Sequence, residues 1–227
     1  MLWYSKNQEI FDYSSNEIIN NNLALEFKNS IYGDSNVTDL YYALQYMKDN
    51  NITDLSVILP LDELSVNYGI ENDINKEFCD KQHIHYRYEN RAGGCIVFFP
   101  GNIIIHSVYP STTFLRQHHY VNALVDYLQN KGINAFTNNN DVLINDKKIV
   151  GTVSQTLLGS YKGWIYFAAE ISINADIELI DQICTKPMNK IPGSLSDYNI
   201  TTEEIMEFTL NWFYTHPNDG YTEEEDE

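Results

Sequence analysis

The sequence predicts an α+β fold, a mixed but mostly antiparallel β-sheet flanked by helices. Three observations carry that expectation. Short apolar or alternating runs bounded by turn residues recur from residue 54 to residue 173. Stretches with apolar residues at helical spacing lie around and between them. Two of the strand runs, on either side of Asn145-Asp146, are separated by a tight polar turn, which joins antiparallel neighbours. No internal repeat or composition break divides the chain. It is read as one domain over residues 1–216 with an acidic tail at 217–227, expected to be solvated and disordered.

The elements follow in order. Ser14 or Ser15 can cap a helix over residues 14–31, with Ile18, Ile19, Leu23 and Phe27 among its apolar positions. Val37, Leu40, Ala43, Leu44 and Met47 give a second helix over 37–50. Strands are expected at 54–60 and 63–69, a helix at 74–81, and a strand at 83–89. Ala92-Gly93-Gly94 reads as a turn or close-approach segment. The runs 95–99 and 102–107, separated by Pro100-Gly101, read as a hairpin. A helix over 114–130 stops near Gly132. Residues 135–151 form a hairpin whose second strand continues to Gln155. A long strand at 164–173 and a short helix at 176–183 follow. The last helix, 201–214, starts on Thr201-Thr202-Glu203-Glu204, which supplies a cap and an acidic first turn.

Composition narrows the function classes. The 227 residues are 43% hydrophobic and 13% aromatic, enough for a sizeable core. The formal net charge of −18 disfavours nucleic acid and anionic membrane surfaces, since both are bound by surplus Lys and Arg. No apolar run approaches the ~20 residues that span a bilayer. Met1-Leu2-Trp3-Tyr4-Ser5 does not read as a secretory signal, so the expected compartment is the cytoplasm. Cys79, Cys95 and Cys184 are far apart and odd in number, which suits neither a zinc ribbon nor a disulfide framework. Cys95 and Cys184 read as core residues.

Two constellations could carry chemistry. Lys148 follows the Asn145-Asp146 turn and precedes Gly151, where a missing side chain lets a ligand approach the backbone. That pattern fits a clamp for an anionic group, although taken alone it fits a surface hairpin with solvated lysines better. Arg91-Ala92-Gly93-Gly94 offers a guanidinium beside two glycines, which suits an anion, although taken alone it better suits a β-bulge or tight turn with an exposed arginine. His118 and His119 are adjacent on a helix and cannot chelate as an i, i+4 pair. No nucleophilic-serine, Walker or dinucleotide motif occurs.

Taken in series, these pieces resemble the lipoate-protein ligase, octanoyltransferase and biotin-protein ligase catalytic-domain family. Asn22-Leu23-Ala24-Leu25-Glu26 is similar to the family's N-L-A-x-E, and Tyr68-Gly69 to its apolar-Gly pair. Arg91-Ala92-Gly93-Gly94, running through Phe98, Pro100, Gly101 and Asn102, resembles R-[SG]-G-G … H-x-x-G-[NQ]. Asn140-Asp141 followed by Lys148-Ile149-Val150-Gly151 resembles R-N-D … K-[IV]-[SA]-G. Residues 171–176 look like L-L-x-N-x-D, and 190–195 like the end of the module.

The resemblance implies ATP-dependent activation of lipoate, or a related acyl acid, to an acyl-AMP. Transfer to a lysine of a lipoyl-domain-type acceptor protein would follow. It implies a charge-stabilising role for Lys148 and a substrate and nucleotide site at Arg91, Gly93, Gly94, Asn140, Asp141 and Gly151. It also implies Mg²⁺ at Asp141. The chain departs from the pattern at several places. Phe98 or Phe99 replaces a histidine, and another histidine is replaced near Ala168. Ile70, Asn90 and Asn139 stand in place of arginines, and no cysteine stands near Pro192-Gly193 where octanoyltransferases carry their nucleophile. A catalytically degenerate binding or structural module on the same scaffold is the alternative these departures imply.

Overall fold

The computed structural model describes residues 2–6, 9–12, 17–18, 44, 47–49, 54–71, 73–88, 94–111, 116–157, 162–188 and 190–216. Its strands are β1 (Leu2–Lys6), β2 (Glu9–Asp12), β3 (Glu17–Ile18), β4 (Leu55–Pro60), β5 (Ser65–Tyr68) and β6 (His85–Tyr88). They continue with β7 (Cys95–Phe98), β8 (Ile103–Pro110), β9 (Ala135–Asn138), β10 (Asp141–Ile144), β11 (Lys147–Thr156) and β12 (Trp164–Ile171). The helices are α1 (Lys76–Gln82), α2 (Arg116–Asn130), α3 (Ile177–Ile183) and α4 (Thr202–Thr215). Nine strands form one sheet in the order β3-β2-β1-β4-β8-β12-β11-β10-β9, and β6-β5-β7 form a second, smaller sheet. Only β1/β4 and β5/β6 run parallel among the described pairings, so the sheets are mixed but mostly antiparallel, as expected.

Strand alternation divides the large sheet into two faces. Ile165, Phe167, Ala169 and Ile171 of β12 join Ile103 and Ile105 of β8 on one face, packed against α2 and α4. Tyr120 of α2 bonds Thr209 of α4 at 2.9 Å and meets Trp212 edge-on at 5.2 Å, which locks those helices together. The opposite face carries Tyr166 and Ala168 of β12 with Ile104 and Val108 of β8, and Phe98 of β7 packs onto it. The small sheet has its own core with α1 and α3, including Cys79, Cys95 and Cys184, all buried free thiols. The core reading of Cys95 and Cys184 holds.

Two expectations fail. The runs around Pro100-Gly101 are not a hairpin: β7 pairs with β5 in the small sheet, while β8 lies between β4 and β12 in the large one. Gly101 takes φ +88°, and the chain is captured there by the backbone of Leu61, which bonds Gly101 N and Asn102 O at 2.7 Å each. The turn residues are thus a crossover between sheets. The helix expected over 14–31 is contradicted at Glu17–Ile18, a strand paired with β2, and its first residues, 14–16, lie outside the described residues. The rest of that helix, residues 19–31, lies outside the described residues. So do most of 37–50, of which Leu44 and residues 47–49 are helical.

Candidate active site

The face of the large sheet that carries Tyr166, Ala168 and Glu170 does not close fully against the small sheet. It leaves a cleft of about 370 Å³. Ile96, Phe98, Ile104 and Ala168 make its apolar wall, and Lys148, Glu170 and Lys190 bring charge to it. Phe98 and Phe99, which stand where the resemblance expects a histidine, are wall residues, and the cleft stays open beside them.

Lys148 is aimed by backbone geometry. Asn145 and Asp146 take left-handed φ of 49° and 62°, the geometry that matches a two-residue turn to twisted strands. The β10/β11 register then slips, with Val142 opposite Val150 but Leu143 opposite Lys148, which leaves a bulge at Ile149. Instead of continuing the ladder on that side, Lys148 N donates to Ile191 O at 2.8 Å and Lys148 O accepts from Gly193 N at 2.9 Å. Gly193 permits this approach, since a Cβ there would lie 2.7 Å from Ile149 Cδ1 and 2.9 Å from Lys147 Cβ.

The Lys148 side chain lies across Gly151. A Cβ on Gly151 would sit 2.8 Å from Lys148 Cε and 3.0 Å from Nζ. The space expected for a ligand above Gly151 therefore holds the lysine itself. From there Nζ reaches Asp141 Oδ1 at 3.2 Å, and Lys190 Nζ reaches the other oxygen of Asp141 at 2.8 Å. Asp141 also accepts from Thr152 N at 3.4 Å. Asn140 sits beside it in a left-handed turn position, φ 66°.

Glu170 is the second carboxylate of the cleft. It pairs across the sheet with Gly151 on β11 and with Ile104 on β8. Its partner is Asn102, whose Nδ2 donates to Oε1 at 2.9 Å. Asn102 is fully buried, and its Oδ1 accepts from Ile173 N at 3.0 Å and Asn174 N at 2.8 Å. The amide cannot flip without losing both bonds, so its NH₂ must face Glu170. Burial pushes the Glu170 carboxyl up to about 7, against the opposing pull of the Asn102 bond and the Lys148 charge.

The site residues predicted from sequence thus fall into three groups. Lys148, Asp141 and Gly151 converge. Gly94 lines the same cleft, its carbonyl accepting from Gly69 N at 3.0 Å, and Asn140 adjoins Asp141 in the chain. Arg91 and Gly93 lie outside the described residues. Glu170 and Lys190 were missed; a glutamate inside the apolar run 164–171 was the available signal for the first.

The arrangement does not fit a resident Mg²⁺ at Asp141. Both oxygens of that carboxylate already face ammonium groups. Among the described residues no three His, Cys, Asp or Glu side chains converge on one point. The site brings the Lys148 and Lys190 ammonium groups to a cleft with an apolar wall, a combination suited to an anionic group with an apolar tail.

A mixed sheet backed by helices thus carries a bulge-mounted lysine in the wall of a partly apolar cleft. The Lipoyl protein ligase A/B catalytic domain matches residues 65–213, and the chain belongs to that family. No curated protein matches it. Among solved structures it is similar to P. falciparum LipL1 in complex with lipoate, at TM-score 0.60 and 17% identity, covering 90% of this chain and 60% of that one. It is equally similar to a bi-partite lipoate protein ligase, studied with its E2 lipoyl domain, from Thermoplasma acidophilum (TM-score 0.60, 17% identity, 90% and 82% covered). A lipoate-protein ligase A bound with ATP matches at TM-score 0.60 and 16% identity, over 90% and 84%. The chain spans about 60% of the length of the P. falciparum chain it matches. At these identities the likeness is one of fold. No helix among the described residues is long and apolar enough to cross a membrane.

Proposed function

We propose that this chain binds lipoate or a related acyl acid with its carboxylate at Lys148. It then activates the acid with ATP to acyl-AMP and transfers the acyl group to a lysine of a lipoyl-domain-type acceptor protein. The observation that carries this reading is the Lys148 ammonium, held over Gly151 in a cleft whose wall includes Ile96, Phe98, Ile104 and Ala168. In the first step a carboxylate oxygen attacks the α-phosphorus, the bond to the bridging oxygen breaks, and pyrophosphate leaves. In the second, the acceptor amine attacks the acyl carbon, AMP leaves, and the amine gives up a proton. Lys148 neutralises charge on the oxygens at the reacting centre in both steps, a contribution that a water-poor site enlarges. No step is assigned to a metal at Asp141. The net charge of −18 opposes encounters with ATP and with an acidic acceptor, so the reaction is slow at low salt and gains from screening.

The test is direct. Purified protein is given lipoate and ATP with magnesium in solution, and the products are read by mass spectrometry. Lipoyl-AMP should form, and Lys148→Ala should abolish it. A second reading is favoured by the pairing of Asp141 with two lysines, which spends cationic charge that a nucleotide would need. In that reading the chain binds the acid but not ATP, as a degenerate module. Calorimetry that finds lipoate binding without ATP binding, and no pyrophosphate release, supports the second reading over the first.

A further inference from the structure

We propose that Glu170 is part of the acid-binding site, a proton-gated clamp that donates a hydrogen bond to the ligand carboxylate only when it is itself protonated. The inference rests on the acyl-acid reading of the cleft.

The geometry leads there by steps. Glu170 lines the cleft, directly across β11 from Gly151, over which the Lys148 side chain lies. Asn102 holds Oε1 and is itself fixed by two backbone bonds, which leaves Oε2 as the oxygen a cleft occupant can meet. A ligand carboxylate drawn to Lys148 therefore arrives beside a second carboxylate. Two ionised carboxylates brought together in one cleft repel, and the repulsion favours a proton on one of them. A free acyl acid is the more acidic of the two, because burial already holds the Glu170 carboxyl near 7. Protonated Glu170 then becomes a donor, and an O–H to carboxylate bond is among the stronger hydrogen bonds.

The groups facing Glu170 support this assignment. From β11 the charged group is Lys148. From the start of β8 it is Asn102, a neutral donor, and the direct neighbour Ile104 is apolar. His106, further along β8, is turned to Tyr166, with Nδ1 2.7 Å from the hydroxyl. Asp141 and Lys190 lie beyond Lys148 and engage it and each other. Lys148, paired with Asp141, is also the cation whose charge acts on Glu170, and a ligand carboxylate would compete for it. Ligand binding resolves that competition by protonating one of them.

The experiment is calorimetric titration of the full chain with lipoate from pH 6 to 8.5, in two buffers of different ionisation enthalpy. Wild-type protein should take up close to one proton per lipoate at pH 8 and far less at pH 6. Its affinity should fall about tenfold per pH unit above about 7. Glu170→Gln keeps a donor without a titrating proton, so its affinity should stay flat across that range with no proton uptake. If wild type binds lipoate with no proton uptake at pH 8, or if Glu170→Gln shows the wild-type slope, the clamp is overturned while acid binding stands. If wild type binds no lipoate at any pH, the acyl-acid reading falls and the clamp falls with it.

Discussion

Replacing Gly151 by alanine isolates what the glycine does. Its φ lies outside the left-handed range, so an L-residue brings no backbone strain. The cost is local: the new Cβ would sit 2.8 Å from Lys148 Cε and 3.0 Å from Nζ. Carbon contacts settle near 3.5–4.0 Å, so the end of the lysine must move by about 1 Å. That breaks the 3.2 Å approach to Asp141 and takes the ammonium away from the cleft. Stability should change little. The buried Asp141 carboxylate keeps its second cation, Lys190, so it is not left as an unpaired charge. Removing a glycine returns about 0.4–1 kcal/mol through the unfolded chain. Binding should change much more, because a hydrogen bond to a charged group is worth about 1.5–3 kcal/mol, or roughly 10- to 150-fold in affinity. Calorimetric titration with lipoate, paired with urea unfolding, reads both quantities. A Gly151→Ala protein that binds lipoate within twofold of wild type would refute the placement of Lys148 as the acid's partner.

Other expectations follow from the same geometry. Glu170 carries a folded-state pKa of about 7 against an ordinary 4.5, so the folded protein keeps a proton that the unfolded chain releases in between. Stability should therefore fall as pH rises from 4.5 to 7, by up to about 3 kcal/mol. Glu170→Gln should remove that fall and be the more stable protein at pH 8, as urea midpoints across pH would reveal. Asn102→Ala leaves the Ile173 and Asn174 amides without their buried acceptor and should cost about 2–4 kcal/mol, seen in the same assay. Thr201→Ala removes the 3.2 Å bond to Glu204 N and should cost about 1 kcal/mol, read as a modest drop in Tm.

Local chemistry made some of this readable from sequence and left the rest hidden. The reciprocal cap of Thr201 and Glu204 lies within one turn, and the structure forms it as expected. Asn145-Asp146 likewise specifies its own left-handed turn, which puts Lys148 at the start of β11. Pro100-Gly101 has an equally strong turn signature, yet it leads from one sheet to another. The deciding partner is the backbone of Leu61, about forty residues earlier, and no local pattern reports it. The Asn22–Glu26 segment that helped carry the resemblance lies outside the described residues. Gly151 plays a different part from the one expected: it makes room for a lysine three residues before it in its own strand. Lys190 escaped notice because its partner, Asp141, is supplied by a distant hairpin. Glu170 was legible in principle, since Tyr166, Ala168 and Glu170 share one strand face and a carboxylate on an apolar face needs a cause.

The central claim is that Lys148 receives the carboxylate of an acyl acid whose tail lies along the Ile104–Ala168 wall. A crystal structure of the protein with lipoate tests it most directly. A carboxylate oxygen should lie within hydrogen-bond reach of Lys148 Nζ, with the dithiolane ring in the cleft. A lipoate whose carboxylate sits elsewhere, with Lys148 still turned to Asp141, would contradict it.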